Sequence, residues 1–240
     1  MIALLLATLL QTGPDARFDR CAALARSDPA AARADANQWR VEGGGWFARQ
    51  CAGLAYAQEG EWRTAAGEFE AAARAAETGR DSRAATYWAQ AGNAWLAAGE
   101  AAKARAALDA ALASGTLTGL QRGEAQLDRA RALVAAGELG PARTDLDAAL
   151  KTAGDDPLAW LLSTTLARRM GELPRAKTDI AEALRRAADD ASVQLEAGNI
   201  AALGRDEDGA RRAWSEAARI APESEAGRSA AAALKQFDPR

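Results

Sequence analysis

One short frame returns five times along this chain: an Ala, a large apolar residue four positions later, and another Ala three positions after that. The first column is Ala65, Ala104, Ala142, Ala176 and Ala210. The second is Phe69, Leu108, Leu146, Ile180 and Trp214, and the third is Ala72, Ala111, Ala149, Ala183 and Ala217. Gly-Glu announces four of the five copies, at Gly60-Glu61, Gly99-Glu100, Gly137-Glu138 and Gly171-Glu172. Positions i, i+4 and i+7 share one stripe of a helix. A stripe that recurs every 34 to 39 residues calls for stacked helical hairpins rather than one globular core.

Composition agrees. The chain has 240 residues, room for six helix pairs of roughly 34 to 40 residues each. Hydrophobic residues make up 49% but aromatic ones only 5%, so most of the apolar content is Ala, the strongest helix former. No alternating Val, Ile, Thr or Tyr run suggests a strand. The expected class is all-α, a right-handed superhelical solenoid of about six helix-turn-helix repeats with a C-terminal capping helix. Net charge is −3 with both signs interspersed, which argues against a nucleic-acid partner. The pairs Arg168-Arg169, Arg185-Arg186 and Arg211-Arg212 read as solvated helix faces.

Residues 1–14 differ from all that follows. Ile2 to Leu10 is one apolar run interrupted only by Thr8, too short to span a bilayer, which needs about 20 residues. Its length is that of a signal-peptide core. The expectation is an exported, periplasmic protein with no membrane insertion after processing. An uncleaved apolar arm on a cytoplasmic adaptor is the alternative. Cys21 and Cys51, the two cysteines of the chain, are 30 residues apart and point the same way if bonded. Two reduced core thiols are the other reading.

Each repeat reads as a first helix, a turn at Gly, and a returning second helix. The clearest copy has Trp46, Ala52, Gly53 and Tyr56, then Gly60, Ala65, Phe69 and Ala72. The next has Trp88, Ala91, Gly92 and Trp95, then Gly99, Ala104, Leu108 and Ala111. Later copies carry Ala130 and Leu133; Trp160 and Thr164; and Ala197, Gly198 and Gly204, ending at Pro222. Pro141 and Pro174 stand where second helices begin, a position that needs no backbone N–H.

These columns resemble the tetratricopeptide repeat across residues 46–222, as five copies. Ala130 and Thr164 depart from that family's small glycine position. The Ala column steps by 39, 38, 34 and 34, so the first two junctions hold extra residues, in longer turns or extended second helices. Residues 15–45 read as a degenerate first hairpin, with Ser27-Asp28-Pro29 stopping one helix and starting the next. Residues 223–240 read as a capping helix and tail that cover the last repeat.

Catalysis finds little to use. The chain has no His, which removes Ser-His-Asp and Cys-His arrangements and most metal sites. It has no P-loop or dinucleotide fingerprint, and Gly43-Gly44-Gly45 follows no strand. Asp155-Asp156, Asp189-Asp190 and Asp206-Glu207-Asp208 fall at helix starts, where capping explains them. The reading is non-catalytic, with no cofactor and no metal. The resemblance implies a protein or peptide partner in a concave groove lined by first helices. The groove residues it implies are Phe47, Gln50, Leu54 and Gln58, then Asn93 and Leu96, Arg131, Thr165 and Arg168, and Asn199. Asn93 and Asn199 match one element of the family's carboxylate clamp, but Ala89 and Leu195 stand where its lysine would be. A partner in a bacterial cell envelope is expected, with a structural spacer role as the contrast.

Overall fold

The computed structural model describes residues 14–237, and within them every regular element is an α-helix. The helices pair off in chain order. They are α1 (Pro14–Ser27) with α2 (Pro29–Val41), α3 (Gly45–Gln58) with α4 (Trp62–Thr78), and α5 (Ala84–Ala97) with α6 (Ala101–Ala113). Next come α7 (Gly119–Ala135) with α8 (Leu139–Ala149), α9 (Pro157–Arg169) with α10 (Leu173–Arg186), and α11 (Ala191–Leu203) with α12 (Glu207–Ile220). A last helix, α13 (Glu225–Phe237), packs on α11 and α12. The apolar run Ile2–Leu10 lies outside the described residues. The chain divides into two compact units, residues 1–116 and 117–240, at the second of the two longer junctions that the Ala column marks.

The seam of each hairpin follows from its small residues. Gly53 faces the Phe69 ring, and a Cβ there would stand 2.6 Å from it. Gly92 faces Leu108 and Gly198 faces Trp214 in the same way. In these copies the small position of the first helix receives the large column of the second. In the two copies without glycine, Ala130 and Thr164 are also buried, and the Thr164 hydroxyl donates to the Trp160 carbonyl at 2.9 Å. All fifteen residues of the Ala–large–Ala columns are buried, Ile180 being the most exposed at 7%.

Helix ends also follow the sequence. Asp28, Asp156, Asp190 and Asp206 each accept a backbone N–H from the first turn of the helix that follows. Gly60, Gly99, Gly137 and Gly171 hold the left-handed turn conformation, with φ from 75° to 79°. The fifth turn corrects the expectation for Gly204, which has φ −80°; Arg205 takes the left-handed conformation at φ 61°. The reason is register. The turn residue precedes the first Ala column by five in every copy, and five before Ala210 is Arg205. The extra residues of the two early junctions sit in different places. At the first, the second helix α4 extends to 17 residues; at the second, residues 114–118 form a turn and the first helix α7 reaches 17.

Candidate functional site

In the first unit, the resemblance picked six residues of α3 and α5. The structure places Phe47 in the core, at 8% exposed, so it does not line a groove. Its ring lies 6.2 Å from Phe18, 6.2 Å from Trp39 and 6.1 Å from Trp46. The Arg83 guanidinium sits 4.4 Å from the same ring. Helical register put Phe47 on the open face, but α1 brings Phe18 over it. Leu54 is half-buried against the cluster of Cys21, Cys51 and their alanines. Gln50 is buried, and its Nε2 donates to Gln90 Oε1 at 3.1 Å, linking α3 to α5. Gln58 and Asn93 are exposed and Leu96 is half-buried.

The same unit holds a charged knot at the start of α5. Arg83 donates to Asp81 at 2.8 Å and 2.6 Å and to Asp15 of α1 at 3.1 Å. Hydrogen bonds from Arg83 hold the Asp81 carboxyl at about 2, and Asp81 in turn raises the Arg83 guanidinium. Tyr87, one turn along α5, is 1% exposed, and burial pushes its phenol up to about 12. Its hydroxyl has no hydrogen-bond partner, nor does the buried Trp46 Nε1. Cys21 of α1 and Cys51 of α3 are both buried, and the structure pairs them with Cα atoms 6.0 Å apart. That separation suits a disulfide.

In the second unit, the implied residues fall on α7, α9 and α11. Arg131 is exposed and holds Asp128 at 2.9 Å on its own helix. Thr165 is half-buried. Arg168 and Asn199 come together around a residue that the register reading passed over, Glu196, which is 5% exposed. Arg168 Nε donates to Glu196 Oε1 at 2.7 Å, and Asn199 Nδ2 donates to Glu196 Oε2 at 3.0 Å. Trp214 Nε1 of α12 donates to Asn199 Oδ1 at 3.2 Å. The amide of Asn199 is thus engaged on both sides. Beside this chain of bonds lies a shallow groove of about 410 Å³ lined by Arg168, Asn199, Ala202, Leu203 and Trp214. Leu203 is 56% exposed on its edge.

Sequence reasoning also missed a buried polar network behind that face. Asp179 of α10 is 2% exposed and Ser163 of α9 is fully buried. The Ser163 hydroxyl donates to Asp179 at 2.5 Å and accepts from Arg143 at 2.9 Å. Arg175 donates to Asp179 at 2.8 Å and to Asp147 at 2.8 Å. One column earlier, Asp145 receives two bonds from Arg129 at 2.7 Å. A signal was present: Asp145 and Asp179 are 34 residues apart, and each precedes a large-column residue by one. A carboxylate on a buried stripe requires a cation, which α7 supplies to Asp145 and its own helix α10 supplies to Asp179.

The fold is that of tetratricopeptide-repeat proteins. Solved structures similar to this chain include the Pseudomonas aeruginosa pilF protein, with TM-score 0.74 and 17% identity over 92% of this chain and 99% of the other. PilW, a type IV pilus biogenesis factor, has TM-score 0.74 and 19% identity over 90% of this chain and 97% of its own. YrrB, a tetratricopeptide-repeat protein with an unusual peptide-binding site, has TM-score 0.60 and 20% identity over 78% of this chain and 91% of its own. No family model matches the sequence, and no curated protein does.

Proposed function

We propose that this chain is a non-catalytic scaffold that binds a protein or peptide through the exposed faces of its first helices, in a bacterial cell envelope. The observation that carries this reading is the α9–α11 face. There Glu196 orients Arg168 and Asn199 beside a groove with an exposed aliphatic edge at Leu203. Fixed polar groups next to an apolar rim suit recognition of a peptide segment. Export is supported by the burial and pairing of Cys21 and Cys51, a bond that persists in oxidising compartments. The likeness to PilW, a pilus biogenesis factor, agrees with an envelope setting.

The test is affinity capture from the native host with wild type and with Asn93→Ala, Arg131→Glu and Arg168→Glu combined. Loss of a captured partner from the triple variant is expected. Retention of every partner at wild-type level would remove the first-helix faces as the binding surface. N-terminal sequencing of the same material tests export: a mature start in residues 11–15 is expected, and an intact Met1 contradicts it.

A further inference from the structure

Two successive clefts in the second unit share one plan and are finished differently. In the first, α9 forms the floor between α8 and α10, and side chains fill the space. Arg143 reaches the Ser163 hydroxyl at 2.9 Å and Asp147 at 3.0 Å, while Arg175 and Ser163 both hold Asp179. The second cleft lies one repeat later, between α10 and α12 over α11. A step of 34 residues, the spacing from Ala142 to Ala176 and from Ala176 to Ala210, maps one cleft onto the other. Lys177 takes the place of Arg143. Ala181, Ala197, Gly209 and Ala213 take the places of Asp147, Ser163, Arg175 and Asp179. The cation is kept, and every group that it or its network bonded has been trimmed to Ala or Gly.

What remains is an open cleft of about 670 Å³. Ile180, Leu184, Ala197, Ile200 and Ala201 give it an apolar lining, and Lys177 and Arg212 stand on its walls. Neither cation makes an ion pair or hydrogen bond with a described residue, whereas the two acids of the lining are engaged. Asp206 accepts the Gly209 N–H at 2.8 Å, and Glu216 accepts from Arg219 at 2.8 Å and 2.6 Å. The imbalance is therefore in bonding as well as in volume: of the two cations and two carboxylates in the lining, it is the cations that lack a partner among the described residues. The preceding cleft has a carboxylate at Asp179; this one has Ala213 in that place.

We propose that the α10–α11–α12 cleft binds a segment of a partner protein that inserts an Asp or Glu side chain flanked by aliphatic side chains. That carboxylate supplies from outside what Asp179 supplies inside the preceding cleft. Lys177 and Arg212 pair with it, and Leu184, Ala197 and Ala201 receive its apolar neighbours. A charge desolvated in such a place must find a partner, so the cleft selects against neutral and basic isosteres. This surface belongs to the second helices and is separate from the first-helix faces proposed above.

The test uses the full chain and synthetic helical peptides of about 14 residues, acetylated and amidated at their ends, with leucines flanking a central Glu, Gln or Lys. Fluorescence anisotropy should show the Glu peptide binding, the Gln peptide at least about tenfold weaker, and the Lys peptide weakest. Ala197→Ser with Ala213→Asp rebuilds the preceding network around Lys177. It should lower affinity for the Glu peptide at least about tenfold while helix content and thermal midpoint are held or raised. Lys177→Glu with Arg212→Glu should reverse the preference toward the Lys peptide, and Arg63→Glu, at an exposed arginine of α4 outside both surfaces, should leave binding unchanged. Loss of peptide binding in Arg63→Glu would show that any lost cation weakens it and overturns the cleft proposal. Failure of all three peptides to bind, equal binding of Glu and Gln peptides, or an unaffected rebuilt variant also overturns it. So does sedimentation showing a wild-type dimer that the rebuilt variant dissociates, because a second copy would then be the occupant.

Discussion

The two compact units are built on the same frame and held by different forces. The first contains five of the seven tryptophans and both cysteines. Its spaces are filled by stacked rings, by cations over those rings and by the Cys21–Cys51 pairing. Among the described residues, Gln50 is the one polar side chain buried in it. The second unit buries Leu127, Leu133, Leu146, Leu166 and Ile200, and with them the carboxylates Asp145, Asp179 and Glu196. Alanine-rich helices leave gaps that something must occupy. Aromatic side chains fill them with at most one N–H or O–H to satisfy, as Trp95 Nε1 does on Glu70 at 2.8 Å; the buried carboxylates each take an arginine, Arg129, Arg175 or Arg168. The first unit should therefore respond to redox change and the second to loss of single charges.

That contrast can be broken most sharply at Asp179. Replacement by Ala leaves Ser163 and Arg175 without their shared acceptor and should cost about 3 to 5 kcal/mol. Hydrogen exchange should rise in α8, α9 and α10 and stay unchanged in α1–α3, as expected where each repeat contacts its neighbours alone. A loss spread evenly over both units would show that they do not respond separately.

The cysteines give the next effect. Reduction, or Cys21→Ser with Cys51→Ser, removes a cross-link closing 30 residues, which chain-entropy reasoning values at about 3.5 kcal/mol. Denaturant unfolding should show that loss, with exchange rising in α1 and α2 first. An unchanged midpoint under reductant would mean that the alanine and aromatic packing of the first hairpin suffices alone.

The smallest effect is acid sensitivity at Asp81. Its carboxyl titrates at about 2 in the folded chain, below the ordinary carboxylate, because Arg83 bonds it. A depressed folded value means the contribution is present above the unfolded pKa near 4 and is lost as pH falls toward 2. Arg83 is partly exposed, so solvent screening limits the effect to about 1 kcal/mol. Comparing wild type with Asp81→Asn between pH 5 and pH 2 should show a difference that shrinks as pH falls. A constant difference would assign the Asp81 contribution to its bond with the Arg83 N–H rather than to charge.

Much of the architecture was legible because periodicity is a local property. The Ala column, the turn glycines and the capping aspartates each specify a helix boundary from a few neighbouring residues, and all lie where that reading put them except at Gly204. There the column itself, five residues before Ala210, pointed to Arg205. The candidate face was less legible. Phe47 has the right register for an open groove but is closed over by Phe18 of α1, 29 residues earlier in the sequence. Asn199 has the right register and sits on the face, yet its amide is bound by Glu196 and Trp214.

The sequence by itself determined the helices, their pairing and the seam where glycine meets a large side chain. Those depend on residue size and spacing along one strand of chain. Tertiary structure alone decided which polar groups are satisfied, which rings are covered and which cleft stays open. Arg143 and Lys177 occupy the same column, but only packing shows that one is bonded into a filled cleft and the other lines an open one, its ammonium beside Gly204. The burial of Glu196 depends on Arg168, brought in from the preceding hairpin, and no single repeat records that pairing.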